Sequence, residues 1–291
     1  MTESKQQQWP EDLQKYRRLL ARCTPYAVIN KQIRPFCDVR PLGLEIPPHN
    51  QYNPFLRSAD DFLNGIQWLD RMTFGFYGME MPRWVFYDCS EMPGGICGFT
   101  MPREEIPESL FSHRPPATEF KGEFPVSMAI AIPMVPAGSW LKHTLCSINE
   151  LSHTAPPGLR TITMALTLSL FRVRTLYATT QWRASELRVH TKFGELELLT
   201  AFTPSHTDDH TLTFRFDVSQ QRITRALAGK EAYAAVPPDA FFVDADDAAG
   251  LIALQRDLEA GHRLFICGRP VRDGAITWVP VRRESENRGA R

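Results

Sequence analysis

Glu150, His153 and His190 are the side chains best suited to moving a proton. A carboxylate acts as a general base when partial burial raises its pKa, and a histidine titrates near neutral pH unaided. Glu150 falls at the end of an expected strand, 141–151, His153 in the loop that follows, and His190 on an expected helix near Phe193. Each also has a plainer reading: an acid paired with an arginine, a loop histidine, and a packed helix histidine. His143, preceded by Trp140, is a candidate for lining the same cleft. His206-Thr-Asp-Asp-His210 carries nitrogen and oxygen ligand types, but no third histidine lies near it and the segment also reads as a hairpin loop. No metal is therefore expected. Covalent catalysis has little support, because there is no G-x-S-x-G elbow and Cys146 sits in an apolar strand rather than at a helix N-terminus. GxxxxGK[ST] is missing too, which argues against nucleotide hydrolysis of the P-loop kind.

These residues need a scaffold, and the pattern supplies one. Leu13, Tyr16, Leu19 and Leu20 share a helical face over 11–22, and prolines at 25, 35, 41, 47, 48 and 54 turn 23–57 into a wrapped loop. Ser58 with Asp60 and Asp61 opens a helix over 59–72. Residues 83–89 and 96–101 flank Pro93-Gly94-Gly95 as a hairpin, and 104–111 reads as a short helix. Strands are expected over 124–134 and 141–151, a helix from 161 to 171, and a buried strand over 175–180. A helix over 183–193 ends at Gly194 and leads into strands 195–203 and 211–217. Beyond 218, two helices (219–229 and 247–260) and two strands (263–268 and 275–281) form an α+β extension, followed by an arginine-rich tail. The reading divides the chain into 1–57, a core over 58–218, and 219–291.

Composition narrows the class further. The chain has 291 residues, 43% apolar and 23% charged, with 33 basic and 33 acidic groups. Zero net charge argues against a strongly basic nucleic-acid binder. Six cysteines without a CxxC pair read as buried reduced thiols. The first twenty residues lack the apolar stretch of a secretory signal, and no apolar run reaches the ~18 residues that span a bilayer. A cytoplasmic protein without a membrane span is expected.

The stretch Ser147–Leu198 arranges strand, proline–glycine loop, helix, strand, helix, glycine and strand in a way that resembles the core of the GNAT acyltransferase superfamily. The resemblance implies an α/β fold, a GNAT-like mixed central sheet flanked by helices. It also implies a loop before the central helix that offers backbone amides to an acyl carrier. Gly158, Leu159, Arg160 and Thr161 stand at that loop, with Gly158 allowing close backbone approach, and Thr179 on the following strand joins the carrier-binding set. Aligned on Gly194, His190 falls where many members place a tyrosine that protonates the leaving thiolate. Gly95-Ile-Cys-Gly-Phe-Thr-Met-Pro102 and Asn149-Glu150-Leu151-Ser152 are similar to the autoinducer-synthase and N-acyl amino acid synthase branch, matching its Glu and Ser at Glu150 and Ser152. Two arginines of that pattern are replaced here, by Thr100 and His153.

Together these features imply acyl transfer from acyl-CoA or an acyl carrier protein thioester to the amine of a small molecule. Glu150, His153 and His190 would be catalytic, while Trp140, His143 and Ser152 would contact substrate. An acidic carrier protein would meet exposed arginines such as Arg160, Arg172 and Arg174. The two substituted arginines, the absence of the superfamily's usual R/Q-x-x-G-x-G/A phosphate-loop pattern and the extra C-terminal segment favour an alternative: a catalytically silent protein of the same fold that binds a small apolar ligand or a protein partner. A third option is a hot-dog-like thioester fold with 161–172 as its central helix.

Overall fold

The computed structural model describes residues 10–91, 94–112, 114–117, 119–152, 154–203, 210–230 and 235–284. It is a mixed α/β structure that packs as two compact units, Met1–Ile132 with Thr144–Arg172, and Pro133–His143 with Val173–Arg291. The division runs through the middle of one strand, whereas the sequence reading placed boundaries at 58 and 219.

In the first unit, a short helix α1 (Arg17–Leu20) leads into β1 (Thr24–Val28), which pairs in parallel with the two-residue β2 (Gln51–Tyr52). The expected 23–57 loop thus contains a strand. Pro25 hid it, yet β2 reaches only Ala27 and Val28, so the proline occupies a stretch with an open edge where its missing N–H is harmless. Helix α2 (Asp60–Phe74) begins on two acids at its positive end, with Ala59 at the N-cap position where the sequence reading put Ser58. Its inner side joins Phe62 to Tyr52 and Tyr26, and Trp68 to Phe111 and Phe124. Residues Arg83–Glu91 form α3 rather than half of a hairpin. Phe86 and Cys89 lie three apart on its buried side, the helical spacing that overrides the local β-propensity of Trp84, Val85, Phe86 and Tyr87.

Strand β3 (Gly95–Pro102) joins β1 on one side and, after the short helix α4 (Ser109–Ser112), β4 (Glu123–Pro133) on the other, both antiparallel. Both strands are almost wholly buried, so they lack polar alternation. Gly98 is required there, because a Cβ would stand 2.1 Å from the Ser127 carbonyl oxygen. Strand β5 (Ser139–Ser147) carries the chain back, and helix α5 (Leu159–Leu170) packs on β3. Ser127 Oγ accepts from Phe99 N at 3.0 Å and bonds Thr163 Oγ1 at 2.7 Å, satisfying the polar groups between sheet and helix.

In the second unit, the start of β5 pairs in parallel with β6 (Thr175–Gln181) over Ser139–Lys142. After α6 (Leu187–His190), β7 (Leu196–Thr200) and β8 (Thr211–Asp217) form a hairpin whose second strand pairs antiparallel with β6. Helix α6 is only four residues long, shorter than the expected 183–193. Helix α7 (Gln220–Leu227) follows, capped by Ser219, which accepts from Arg222 N at 3.3 Å. Next come β9 (Phe241–Asp244), α8 (Ala248–Glu259), β10 (Leu264–Ile266), β11 (Val271–Asp273) and β12 (Ile276–Arg283). Strand β10 pairs with β7, and β12 with β10, β9 and β11, so the C-terminal segment extends the sheet of this unit. All six cysteines are buried thiols, none of them in a disulfide. Among the described residues no helix is long and apolar enough to cross a membrane.

Candidate active site

The loop between β5 and α5 holds most of the sequence candidates. Glu150 closes a single 3-10 turn, Ile148–Glu150, rather than lying on the strand. Its Oε1 accepts from Ser147 N at 3.3 Å, which bends the chain out of the extended conformation there. The same oxygen is 3.5 Å from Arg160 Nη1, and both side chains are about a quarter exposed, at 24% and 25%. Asn149 braces the loop from within: its Nδ2 donates to Pro156 O at 3.2 Å and its Oδ1 accepts from Ala155 N at 3.1 Å. Ser152 Oγ bonds Thr154 Oγ1 at 2.5 Å. Helix α2 packs against the 148–150 turn from the same unit.

Gly158 is the N-cap of α5, and its φ of 96° is a left-handed conformation that favours glycine. A Cβ there would come within 2.8 Å of the Tyr16 ring, so space and backbone both select glycine. Gly158 brings no side chain of its own to this helix end. Leu159 and Thr161 point into the core, at 1% and 3% exposure, so they can offer a ligand only backbone. Arg160 stays at the surface between them. The arrangement combines a helix N-terminus, a guanidinium and a braced carboxylate within one loop, which suits an anion beside a group that takes up a proton.

The second unit holds a different constellation. Lys142 of β5 is 2% exposed and forms an ion pair with Glu186, just before α6. Lys142 Nζ also lies 3.3 Å from His190 Nε2, and His190 Nε2 lies 3.4 Å from Glu186 Oε1. His190 is fully buried, edge-on to Phe214 at 5.0 Å. Burial, with the neighbouring Lys142 cation, lowers its pKa to about 4. The imidazole is therefore neutral at pH 7. Burial pushes the Glu186 carboxyl up, but Lys142 and His190 outweigh it and hold the pKa at about 2. His190 Nδ1 is buried without a hydrogen-bond partner among the described residues. Sequence reasoning singled out His190 but missed Lys142 and Glu186. A lysine amid the apolar residues of an expected strand, Trp140, Leu141 and Leu145, was the available signal.

The remaining candidates also lie in the second unit. His143 is exposed, with its pKa lowered by partial burial and by Lys142, and Trp140 is half-buried. Thr179 Oγ1 bonds Thr213 Oγ1 at 3.2 Å on an exposed face. The structure thus brings Glu150, Ser152, Gly158, Leu159, Arg160 and Thr161 together in one unit, and assigns Trp140, His143, Thr179 and His190 to the other. His153 and residues 206–209 of the His206–His210 segment fall outside the described residues. Among the described residues no group of three or more histidine, cysteine or acidic side chains could hold a metal ion.

No family model matches the chain, and no curated protein does. Among solved structures it is similar to a chain of the NatC complex bound to Gag peptide and CoA, at 8% identity and a TM-score of 0.38, over 57% of this chain and 97% of that one. It is also similar to a protein from Desulfovibrio desulfuricans described as a GNAT-family acetyltransferase, at 16% identity and a TM-score of 0.33, over 53% and 93%.

Proposed function

We propose that this chain transfers an acyl group from an acyl thioester to the amine of a small molecule. The observation that carries this reading is the β5–loop–α5–β6 crossover, which joins two parallel strands through a helix that begins on left-handed Gly158. Parallel strands need such a crossover, and its helix N-terminus is a natural seat for a carrier's phosphates. From β5 to β7 the order is strand, loop, helix, strand, short helix, strand, the order on which the GNAT-like resemblance of the sequence rests.

In this reading the amine nitrogen attacks the thioester carbonyl, forming C–N as C–S breaks. The amine proton passes to Glu150, directly or through water, and the departing thiolate takes up a proton. Arg160 and the first amides of α5 hold the carrier. His190, neutral and enclosed, is better suited to positioning β5 against α6 than to protonating a thiolate. His143 is exposed, on the opposite face of β5 from Lys142.

One observation favours the silent-protein alternative: Glu150 is already engaged by Arg160 and by Ser147 N. A thiol-release assay separates the two readings. With acyl-CoA and acyl-loaded carrier protein as donors and a panel of small amines as acceptors, the enzyme reading expects turnover that Glu150→Gln abolishes in a folded protein. Absence of turnover with every donor–acceptor pair, from folded protein, would leave the silent-protein reading.

A further inference from the structure

The first unit contains an open groove of about 830 Å³ along the short edge strand β2, remote in sequence from the 148–161 loop. That volume is within the roughly 300–1,000 Å³ of small-molecule sites. Three of its lining residues are basic, Lys31, Arg34 and His49, and none is acidic. A protein with as many acids as bases has gathered only one sign here. Arg34 is held by a neutral partner: its Nη1 donates to Gln51 Oε1 at 2.9 Å, while Gln51 Nε2 donates to Ile46 O at 2.7 Å. The guanidinium is therefore fixed in place with its charge uncancelled by that contact, and a planar fork of donors suits a carboxylate.

Of the other lining residues Pro35, Val39, Tyr52 and Leu56 present apolar surface, beside the polar Gln51, Asn53 and Ser58. Val39 is 84% exposed and Leu56 51%, and Phe36 and Phe55, adjacent in sequence to the lining residues Pro35 and Leu56, are exposed as well. Large apolar side chains grouped in this way on a surface mark a binding site more often than chance exposure does. Tyr52, one of the lining residues, has its ring stacked on the buried Phe62 with centroids 3.9 Å apart.

We propose that this groove binds a small amphipathic carboxylate, its head group on Arg34 and Lys31 and its apolar body along Val39 and Leu56. Charge complementarity selects the anion, and the exposed apolar wall selects an alkyl or aryl body over a plain inorganic ion. The inference is independent of acyl transfer, since it uses none of the residues of the α5 loop.

Isothermal titration of the full chain with decanoate tests it, with decanol as the neutral control. The expected result is saturable one-to-one binding of decanoate, weakened about tenfold or more in the double variant Lys31→Glu/Arg34→Glu and by added salt. Val39→Asp should weaken it as well, while Arg272→Glu, an exposed change in the other unit, should not. All these positions are exposed, so the variants should remain folded, which circular dichroism would establish. Absence of saturable binding, equal binding of decanol, or retention of decanoate affinity in the double variant would overturn the proposal. So would binding of an acidic peptide without binding of decanoate, because the site would then be a protein-docking surface.

Discussion

The molecule has two clusters built from the same chemical parts, a carboxylate, a cation and a neighbouring polar group, in opposite settings. Glu150 and Arg160 meet at 3.5 Å with about a quarter of each side chain exposed, at the start of a helix. Lys142, Glu186 and His190 meet at 2%, 17% and 0% exposure, between a strand and a short helix. The first pair is weak in stability terms and reachable by a ligand. The second is costly to disturb and closed. Residue type alone therefore does not mark a catalytic group; access does, and burial converts the same chemistry into a fastener.

The largest effect should come from breaking the closed cluster. Lys142→Ala leaves Glu186 buried beside a neutral histidine, and should cost about 3–5 kcal/mol of stability in denaturant unfolding. A loss below about 1 kcal/mol would mean the cluster is solvated after all. By contrast, Glu150→Gln should change stability by no more than about 1 kcal/mol yet lower kcat by about 100-fold or more. Similar losses of stability at the two sites would erase the distinction.

The pH dependence sharpens it further. His190 has a folded pKa near 4, below its ordinary 6.5, so it contributes stability that is present above 6.5 and lost as pH falls towards 4. Glu186, held near 2, adds a second loss as pH falls from about 4.5 to 2. Asp70 in the first unit runs the other way. Its carboxyl is buried, accepts from Met81 N at 2.7 Å, and is pushed up to about 7 by burial. Its contribution is fully present below about 4 and is lost as pH rises through 7. His190→Gln should flatten the acid limb of a stability–pH curve, and Asp70→Asn should flatten the limb from 4 to 7, each by on the order of a few kcal/mol. Arg160→Ala is the mildest change. It should raise KM for the thioester about tenfold with kcat little altered, as expected for a carrier contact.

Much of this was legible in the sequence where burial and pattern agree. Strands β4, β6 and β8 and helix α5 announce themselves through apolar runs or alternation, and Gly158 through the turn it must make. Failures came where a local signal pointed one way and packing another. Pro25 suggested a loop but sits in a strand with an open edge. The aromatic run Trp84–Tyr87 suggested a strand but winds into α3. Phe241–Asp244 lay behind Pro237 and Pro238 and went unread as β9, because its partner in β12 is some 35 residues away in sequence. Glu150 was singled out by type and spacing as a candidate, but its place in a 3-10 turn depends on its own bond to Ser147 N, which no periodicity reveals. The Lys142–Glu186 pair was invisible for the same reason: it forms across 44 residues of sequence.

Direct titration of the full chain with an acyl-CoA and with an acyl-loaded carrier protein tests the α5 loop as the proposed seat of an acyl carrier. Saturable binding of one of them, weakened about tenfold by Arg160→Ala and untouched by Lys31→Glu/Arg34→Glu, is the expected result. Folded protein that binds neither, or that binds equally well without Arg160, would contradict it.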